Sequence, residues 1–334
     1  MTSKEEYNST ENRVLYGCTE DGRIPNEALR SAFLSLLAEK ECSPFVKIII
    51  NVKGLIEFLY ANPVYNRIHS ISLDVLECVP LRPDIAFDRY WSAFEILLHQ
   101  YYNKVWRDKN AVNPTTVSLF KRFCTEVVFP ILNKSDALNS AYSTFIKSMP
   151  ESITRYAVAR MLIERELKVN SQYFNNSQRA ESILGEHLFK LFKNEYITEN
   201  NGAATLDAAN HYRAQRKLYK VLTESTITFK DQVIPNIGED NSLDFILSCI
   251  LYASRCERFH GDHFSPFYSY FSSFYTYGHW YWILNMTHFL FWILMMKTIS
   301  VYHVENPIDE SMICTNINSV LENNTAIFGW TTKR

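Results

Sequence analysis

The chain has 334 residues, 47% of them hydrophobic and 21% charged, so it is long enough for one large domain or two ordinary ones. This composition excludes a disordered or fibrous protein, and the nine glycines and eleven prolines, few against roughly 7% and 5%, disfavour glycine-rich sheets and sandwiches. With 34 basic and 36 acidic side chains, the net charge of -2 excludes an overall basic surface, so an anionic substrate must meet a local basic site.

The spacing of apolar residues predicts helices along most of the chain. Residues 1–24 are polar, a helical pattern starts at Asn26, and residues 45–60 are interpreted as mostly helix. After a break near Pro80, an amphipathic helix is predicted over 84–106. Further helices are predicted at 113–132, 148–169, 182–196, 205–222, 242–259 and within 277–303. The sequence therefore predicts an all-α fold.

One predicted helix is unusually apolar. The segment Trp280–Met296 has seventeen residues, which is the lower limit for crossing a bilayer. Asn285, Thr287 and His288 lie at its middle, where polar groups are costly in lipid. We therefore expect a helix in the core or in a dimer interface, and a membrane span is the less favoured alternative.

The cysteines and the N-terminus predict a cytoplasmic protein. The seven cysteines are scattered along the chain without a C-x-x-C pair, which is typical of reduced thiols. The first residues are polar and lack the apolar core of a signal peptide.

Side chains that could take part in catalysis are concentrated in the stretch Leu247–Asp262, with the sequence LSCILYASRCERFHGD. A mostly apolar helix, predicted to begin at an N-cap Ser242, ends here in two arginines, a glutamate and a histidine. Gly261 follows at the position where a left-handed residue terminates many helices.

This stretch resembles the HEPN superfamily of helical proteins, many of which are ribonucleases. The superfamily signature is an arginine followed by a histidine five to seven positions later, at the end of an apolar helix; here the pair is Arg255 and His260, with Tyr252 ahead of it. Residues 87–97, FDRYWSAFEIL, resemble the first helix of such domains. The chain departs from the pattern at Cys256, because active members often carry Asn, Asp or His after the arginine.

The resemblance implies cleavage of RNA without metal or other cofactor, by attack of the substrate 2′-OH on the adjacent phosphodiester. His260 would act as general base or acid, and Arg255 would stabilise the charged transition state. In a regular helix these positions differ by about 140°, so they share no face. Either the helix distorts at its end, or two motifs face each other in a homodimer or with another HEPN partner, as the resemblance implies.

Four further residues are predicted to support the pair or to bind substrate. Cys256, Glu257 and Arg258 belong to the same motif. Glu95, on the predicted first helix, is expected to orient Arg255 if that helix packs beside the motif. A surface pair between Glu95 and His99, at i and i+4, is the alternative.

Two simpler interpretations of the motif stay open. The arginines can form a solvated helix end, with His260 as an ordinary cap before the glycine. Zinc binding by Cys256, His260, His263 and Asp262 is disfavoured because no further Cys or His lies at a recognisable spacing, so no metal is predicted.

A basic run on another predicted helix has two interpretations. Contact with an RNA backbone and a simple solvated face are the alternatives for Arg213, Arg216, Lys217 and Lys220.

The predicted organisation is a helical N-terminal region of unknown role (1–80), a HEPN-like domain (81–305) with a helical insertion at about 107–230, and a C-terminal tail (306–334). The leading hypothesis is an endoribonuclease that acts as a toxin or antiviral defence effector and has an antitoxin or regulatory partner. The alternative is a non-catalytic HEPN-like scaffold, or an RNA-binding or regulatory module. A third hypothesis is membrane association through residues 280–296.

Overall fold

Helices form almost all the regular structure in the computed structural model, and the predicted all-α fold is confirmed. The structure describes residues 27–48, 52–107, 114–162, 172–200, 203–224, 226–229, 232–259, 267, 272–302 and 308–330. The first helices are α1 (Glu27–Lys40), α2 (Val52–Ala61), α3 (Pro63–Leu73), α4 (Val75–Cys78) and α5 (Pro83–Tyr101).

The remaining helices lie in the middle and the last part of the chain. The middle of the chain forms α6 (Thr116–Phe123), α7 (Phe129–Leu132), α8 (Asp136–Lys147), α9 (Glu151–Leu162), α10 (Gln172–Leu184), α11 (Glu186–Tyr196) and α12 (Ala208–Thr223). The last part forms α13 (Glu239–Phe245), α14 (Tyr252–Phe259), α15 (Phe274–Val301) and α16 (Glu310–Phe328). Three π-helical segments interrupt the described helices: π1 (Tyr102–Trp106), π2 (Cys124–Val128) and π3 (Ile246–Leu251).

Two small antiparallel hairpins lie in this part of the chain, the first within the predicted insertion and the second at its end. Strand β1 (Thr198–Asn200) pairs with β2 (Ala203–Thr205), and β3 (Thr226–Phe229) pairs with β4 (Gln232–Pro235). The sequence analysis did not predict them, because strands of three or four residues are too short to give an alternating pattern. They flank α12 without forming a larger sheet.

The core is built around α15, which packs along α5. Trp282 and Trp91, one from each helix, are completely buried, as expected for bulky aromatics in the core of a chain with 14% aromatic residues. Among the described residues, α15 is the one helix whose length and composition would fit a bilayer, and 89% of its most apolar window is buried inside the protein. Core helices of soluble proteins meet the same criteria.

The polar residues of the C-terminal helices bind the chain before α2. Asn285 of α15 and Asn324 of α16 both donate side-chain hydrogen bonds to the carbonyl oxygen of Pro44, at 3.0 and 2.8 Å. Asn316 donates to the carbonyl of Val46 at 2.7 Å. These buried backbone carbonyls lie outside any helix or sheet, so the amides provide partners that regular structure does not.

The segment 306–334, predicted as a tail, contains the nineteen-residue helix α16, which packs on α15 and α8. Asp309 caps this helix by accepting a hydrogen bond from the backbone of Met312 at 2.8 Å. The buried side chains Ile313, Ile317 and Val320 join α16 to the main hydrophobic core.

His288 lies midway along α15 and gives a prediction for stability. It is 1% exposed, and its ring centroid lies 4.9 Å from that of Phe45 and 5.1 Å from that of Tyr90. Burial lowers the pKa of His288 from 6.5 to about 3. Below pH 6.5 the unfolded chain therefore binds a proton at this side chain that the folded protein does not.

The free energy of unfolding is expected to fall by up to about 1.4 kcal/mol per pH unit as the pH decreases from 6.5 towards 3. The variant His288→Gln lacks the titrating ring and should lose this part of the pH dependence, while all other groups titrate as in the wild type. Urea unfolding of both proteins at pH 7.5, 5.5 and 4.5 measures the difference. If the free energy of unfolding changes equally with pH in the two proteins, the low pKa of His288 is contradicted.

Candidate active site

The helix that carries the motif begins earlier than predicted. Ser242 is not its N-cap: α13 starts at Glu239, directly after Gly238, which has a φ of 85°. The left-handed conformation of this glycine sets the turn into the helix, and the acidic first turn, Glu239 and Asp240, suits the positive end of the helix dipole. The helix then continues through π3 into α14, which ends at Phe259.

Arg255 lies in α14 and forms an ion pair with Glu95 of α5. The distance from Arg255 Nη2 to Glu95 Oε2 is 3.6 Å, which is within ion-pair range but too long for a hydrogen bond. The two side chains are 25% and 17% exposed, so the guanidinium retains contact with solvent. His99, the alternative partner of Glu95, is instead 3.1 Å from Thr116 Oγ1. The structure thus places Glu95 beside Arg255. This is the arrangement predicted for the case in which the first helix packs beside the motif.

Arg258, in contrast, is held by two carboxylates at the start of α5. Its Nη1 donates to Asp84 Oδ2 at 3.0 Å, and its Nε and Nη2 lie 2.8 and 2.7 Å from Asp88 Oδ2. Asp84 also accepts a bond of 2.9 Å from Arg82. The Arg258 guanidinium carbon is 5.2 Å from the ring centroid of Trp280, and the side chain is only 12% exposed. This geometry favours a structural role for Arg258 over the predicted contact with substrate.

The electrostatics of this network differ between its two carboxylates. Burial alone would raise the pKa of Asp84, but the hydrogen bonds and charges of Arg82 and Arg258 outweigh it, so the pKa lies below 3.8. For Asp88, burial outweighs the bond from Arg258, and the pKa is raised. Burial would lower the pKa of Arg258, yet its bonds to both carboxylates raise it. Asp84, with two arginine partners, is therefore the more firmly ionised carboxylate.

Tyr252 connects the motif with a residue that the sequence analysis missed. The Arg179 guanidinium, from α10 in the predicted insertion, lies 5.4 Å from the centroid of the Tyr252 ring. The same ring is 6.3 Å from that of Trp91 and 6.0 Å from that of Phe120. No pattern in the sequence connects Arg179 with a motif more than seventy residues later, since only the fold brings them together. A second arginine thus lies beside the motif helix.

The remaining predicted site residues are only partly located. Cys256 is 8% exposed, so its thiol lies mainly in the protein interior. His260, Asp262, His263 and the Glu257 side chain are outside the described residues. Within the described part of the chain, no group of three or more His, Cys, Asp and Glu side chains is placed to hold a metal ion.

A cleft of about 550 Å³ lies elsewhere, between α2, α3, α5 and α15. Its lining is mostly apolar and includes Ile56, Leu73 and Trp292, with Lys47 and His69 among the polar residues. Of the motif side chains that the structure describes, none lines it. The cleft is therefore distinct from the described part of the candidate active site.

Comparison of the chain with family models, with curated proteins and with solved structures finds no match.

Proposed function

We propose that the protein is a metal-independent endoribonuclease of HEPN type, with Arg255 and His260 as its catalytic residues. The observation that carries this proposal is the pairing of Arg255 with Glu95 across two helices, at a partly exposed position. The charge of Glu95 holds the guanidinium at this position, and its planar donors suit the recognition of phosphate oxygens. Glu95 is then a positioning residue that acts through Arg255.

Other arginines near Arg255 add positive potential. The negative charge of Glu95, which pairs with Arg255, does not cancel it. Arg179 lies against the Tyr252 ring, one helical turn before Arg255. Arg258 follows three residues after Arg255, although its charge is balanced by Asp84 and Asp88. A local basic site of this kind is what a chain of net charge -2 needs to attract RNA.

The proposed reaction is an internal transesterification. A histidine removes the proton of the ribose 2′-OH, the 2′-oxygen attacks the adjacent phosphorus, and the bond from phosphorus to the 5′-oxygen breaks. A second histidine returns a proton to the leaving 5′-oxygen, so the products are a 2′,3′-cyclic phosphate and a 5′-hydroxyl. Each chain has one motif and therefore one His260, so a dimer with two motifs provides both the base and the acid. A role as toxin or defence effector, with a regulatory partner, rests on the resemblance alone.

The reaction class is tested with a defined RNA in the presence of EDTA. Purified protein should cleave the RNA and leave cyclic phosphate ends, whereas the same oligonucleotide with 2′-deoxyribose at the cleaved position should stay intact. Cleavage of the deoxy-substituted strand would contradict the proposed nucleophile. Folded protein that is inert on mixed RNA would overturn the enzyme hypothesis and favour the non-catalytic scaffold.

A further inference from the structure

Contacts between aromatic rings lead from the candidate active site to α9. The Trp280 ring, which lies against the Arg258 guanidinium, has its centroid 5.6 Å from the ring centroid of His279. The His279 ring in turn is 5.4 Å from that of Tyr156 on α9. Ser152 Oγ, on the same helix, is 3.0 Å from His279 Nδ1. The end of the motif helix is thereby joined to the exposed face of α9.

The row of side chains continues from α9 to α12. Nε2 of His211 lies 2.8 Å from the carbonyl oxygen of Arg155, which holds the two helices together. The neighbouring Tyr212 has the guanidinium of Arg216 5.8 Å from its ring centroid. Tyr156 and Tyr212 are 49% and 51% exposed, so each presents much of its ring to solvent. Exposed aromatic rings next to arginines are typical of binding surfaces.

The charge along this row is mainly positive. Arg155 and Arg216 are both exposed. The carboxylates at the ends of these helices are Glu151, half-buried in the first turn of α9, Asp207, the exposed N-cap of α12, and Glu224, which pairs with Lys220 at 3.3 Å. The surface therefore offers guanidinium groups and aromatic faces in alternation.

We propose that this row of side chains binds single-stranded RNA on its way to Arg255. The row is called the basic–aromatic surface and consists of Trp280, Tyr156, Arg155, Tyr212 and Arg216. The inference rests on the proposed function and names the route of its substrate. Unpaired bases stack on aromatic rings whatever their sequence, and guanidinium groups neutralise the phosphates between them. The alternation of rings and charges matches the alternation of bases and phosphates along a single strand.

Binding is measured by fluorescence anisotropy with a labelled single-stranded 2′-O-methyl RNA, which cannot be cleaved because the attacking hydroxyl is blocked. The double variant Tyr156→Ala/Tyr212→Ala should raise Kd by at least about thirtyfold, since it removes two stacking rings. Tyr60→Ala is the matched control, because Tyr60 is 83% exposed and lines the separate cleft. Its Kd should equal that of the wild type.

The charge contribution is measured by titration at several salt concentrations. In Arg155→Gln/Arg216→Gln the slope of log Kd against log salt should fall by about 1.4, because each phosphate contact on a single strand contributes about 0.7. The control Lys134→Gln/Lys190→Gln removes two other exposed charges and should keep the wild-type slope. Circular dichroism establishes that all variants are folded.

The outcomes separate this inference from the proposed function. Cleavage of a dinucleotide, whose single phosphate is the one that is cleaved, should be the same in wild type and in the tyrosine double variant, while cleavage of long RNA should slow in the variant. Unchanged Kd in both double variants overturns the inference and leaves an acidic protein as the partner of this surface. If the wild type cleaves no RNA and the double variants bind RNA more weakly than the wild type, the proposed enzyme is overturned. The basic–aromatic surface is then supported.

Discussion

The variant His260→Ala is expected to cleave RNA about 10²- to 10⁴-fold more slowly than the wild type, because positioned proton transfer contributes an acceleration of that size. Arg255→Ala should lose about 10²- to 10³-fold, in the range found when one donor to a developing negative charge is removed. Arg255→Lys should recover little of this loss, since an ammonium group lacks the planar pair of donors. Single-turnover rates with saturating RNA measure these effects.

His263→Ala is the matched control for the histidine, because it removes another imidazole from the same stretch of chain. It should keep the wild-type rate. Glu95→Gln tests the positioning role: the rate should fall less than in Arg255→Ala, and Glu95→Asp should restore part of it. Equal loss of activity in His260→Ala and His263→Ala would show that the motif histidine has no special role.

Replacing Arg258 with alanine is expected to lower the free energy of unfolding by about 3–5 kcal/mol. The substitution leaves Asp84, which is 0% exposed, with Arg82 as its remaining ion-pair partner, and it removes both bonds to Asp88. A buried carboxylate that loses one of its two counter-charges is destabilised because water cannot replace the lost interaction. Urea unfolding at pH 7 measures the change.

Lys121→Ala is the control for this second prediction. Lys121 pairs with Asp240 at 2.7 Å, also between distant parts of the chain, but both side chains are more than 40% exposed. Its loss should lower the free energy of unfolding by less than about 1 kcal/mol, because water screens the pair. In Arg258→Met/Asp88→Asn much of the stability should return, since Asp84 keeps its pair with Arg82 and the carboxylate that relied on Arg258 alone is neutral. A loss from Arg258→Ala as small as that of the control would contradict a structural role.

The overall class of the fold follows from features that are local in sequence. Scarce glycine, helical spacing and the apolar segment 280–296 predict helices, and the structure has most of these at nearly the same places. The helices α3, α4, α8, α10 and α16 were not predicted, and residues 45–48, predicted as helix, are not helical. The helix starts are less predictable. Ser242 looks like a cap, yet Gly238 begins the helix, because the conformation of a glycine leaves no mark on hydrophobic spacing.

The candidate site is predictable only in part. The resemblance identifies Arg255 and suggests Glu95 as its neighbour, and the structure places these two side chains 3.6 Å apart. The sequence predicts Arg258, on the same short helix, to support Arg255 or to bind substrate, and it does not predict the ion pairs that hold Arg258. The difference arises from Asp84 and Asp88, which are distant in sequence and become partners through packing of α5.

The π-helical segment π3, just before α14, has a consequence for the direction in which Arg255 points. A π turn holds about one residue more than an α turn, so every side chain after it is rotated by about 100° relative to an uninterrupted α-helix. Ile246–Leu251 are all buried, while Arg255, a few residues later, turns towards Glu95 and solvent. The single additional residue thus rotates the half of the helix that carries Arg255 relative to the buried half before it. Deleting one residue there would leave the motif sequence unchanged and point its arginine elsewhere.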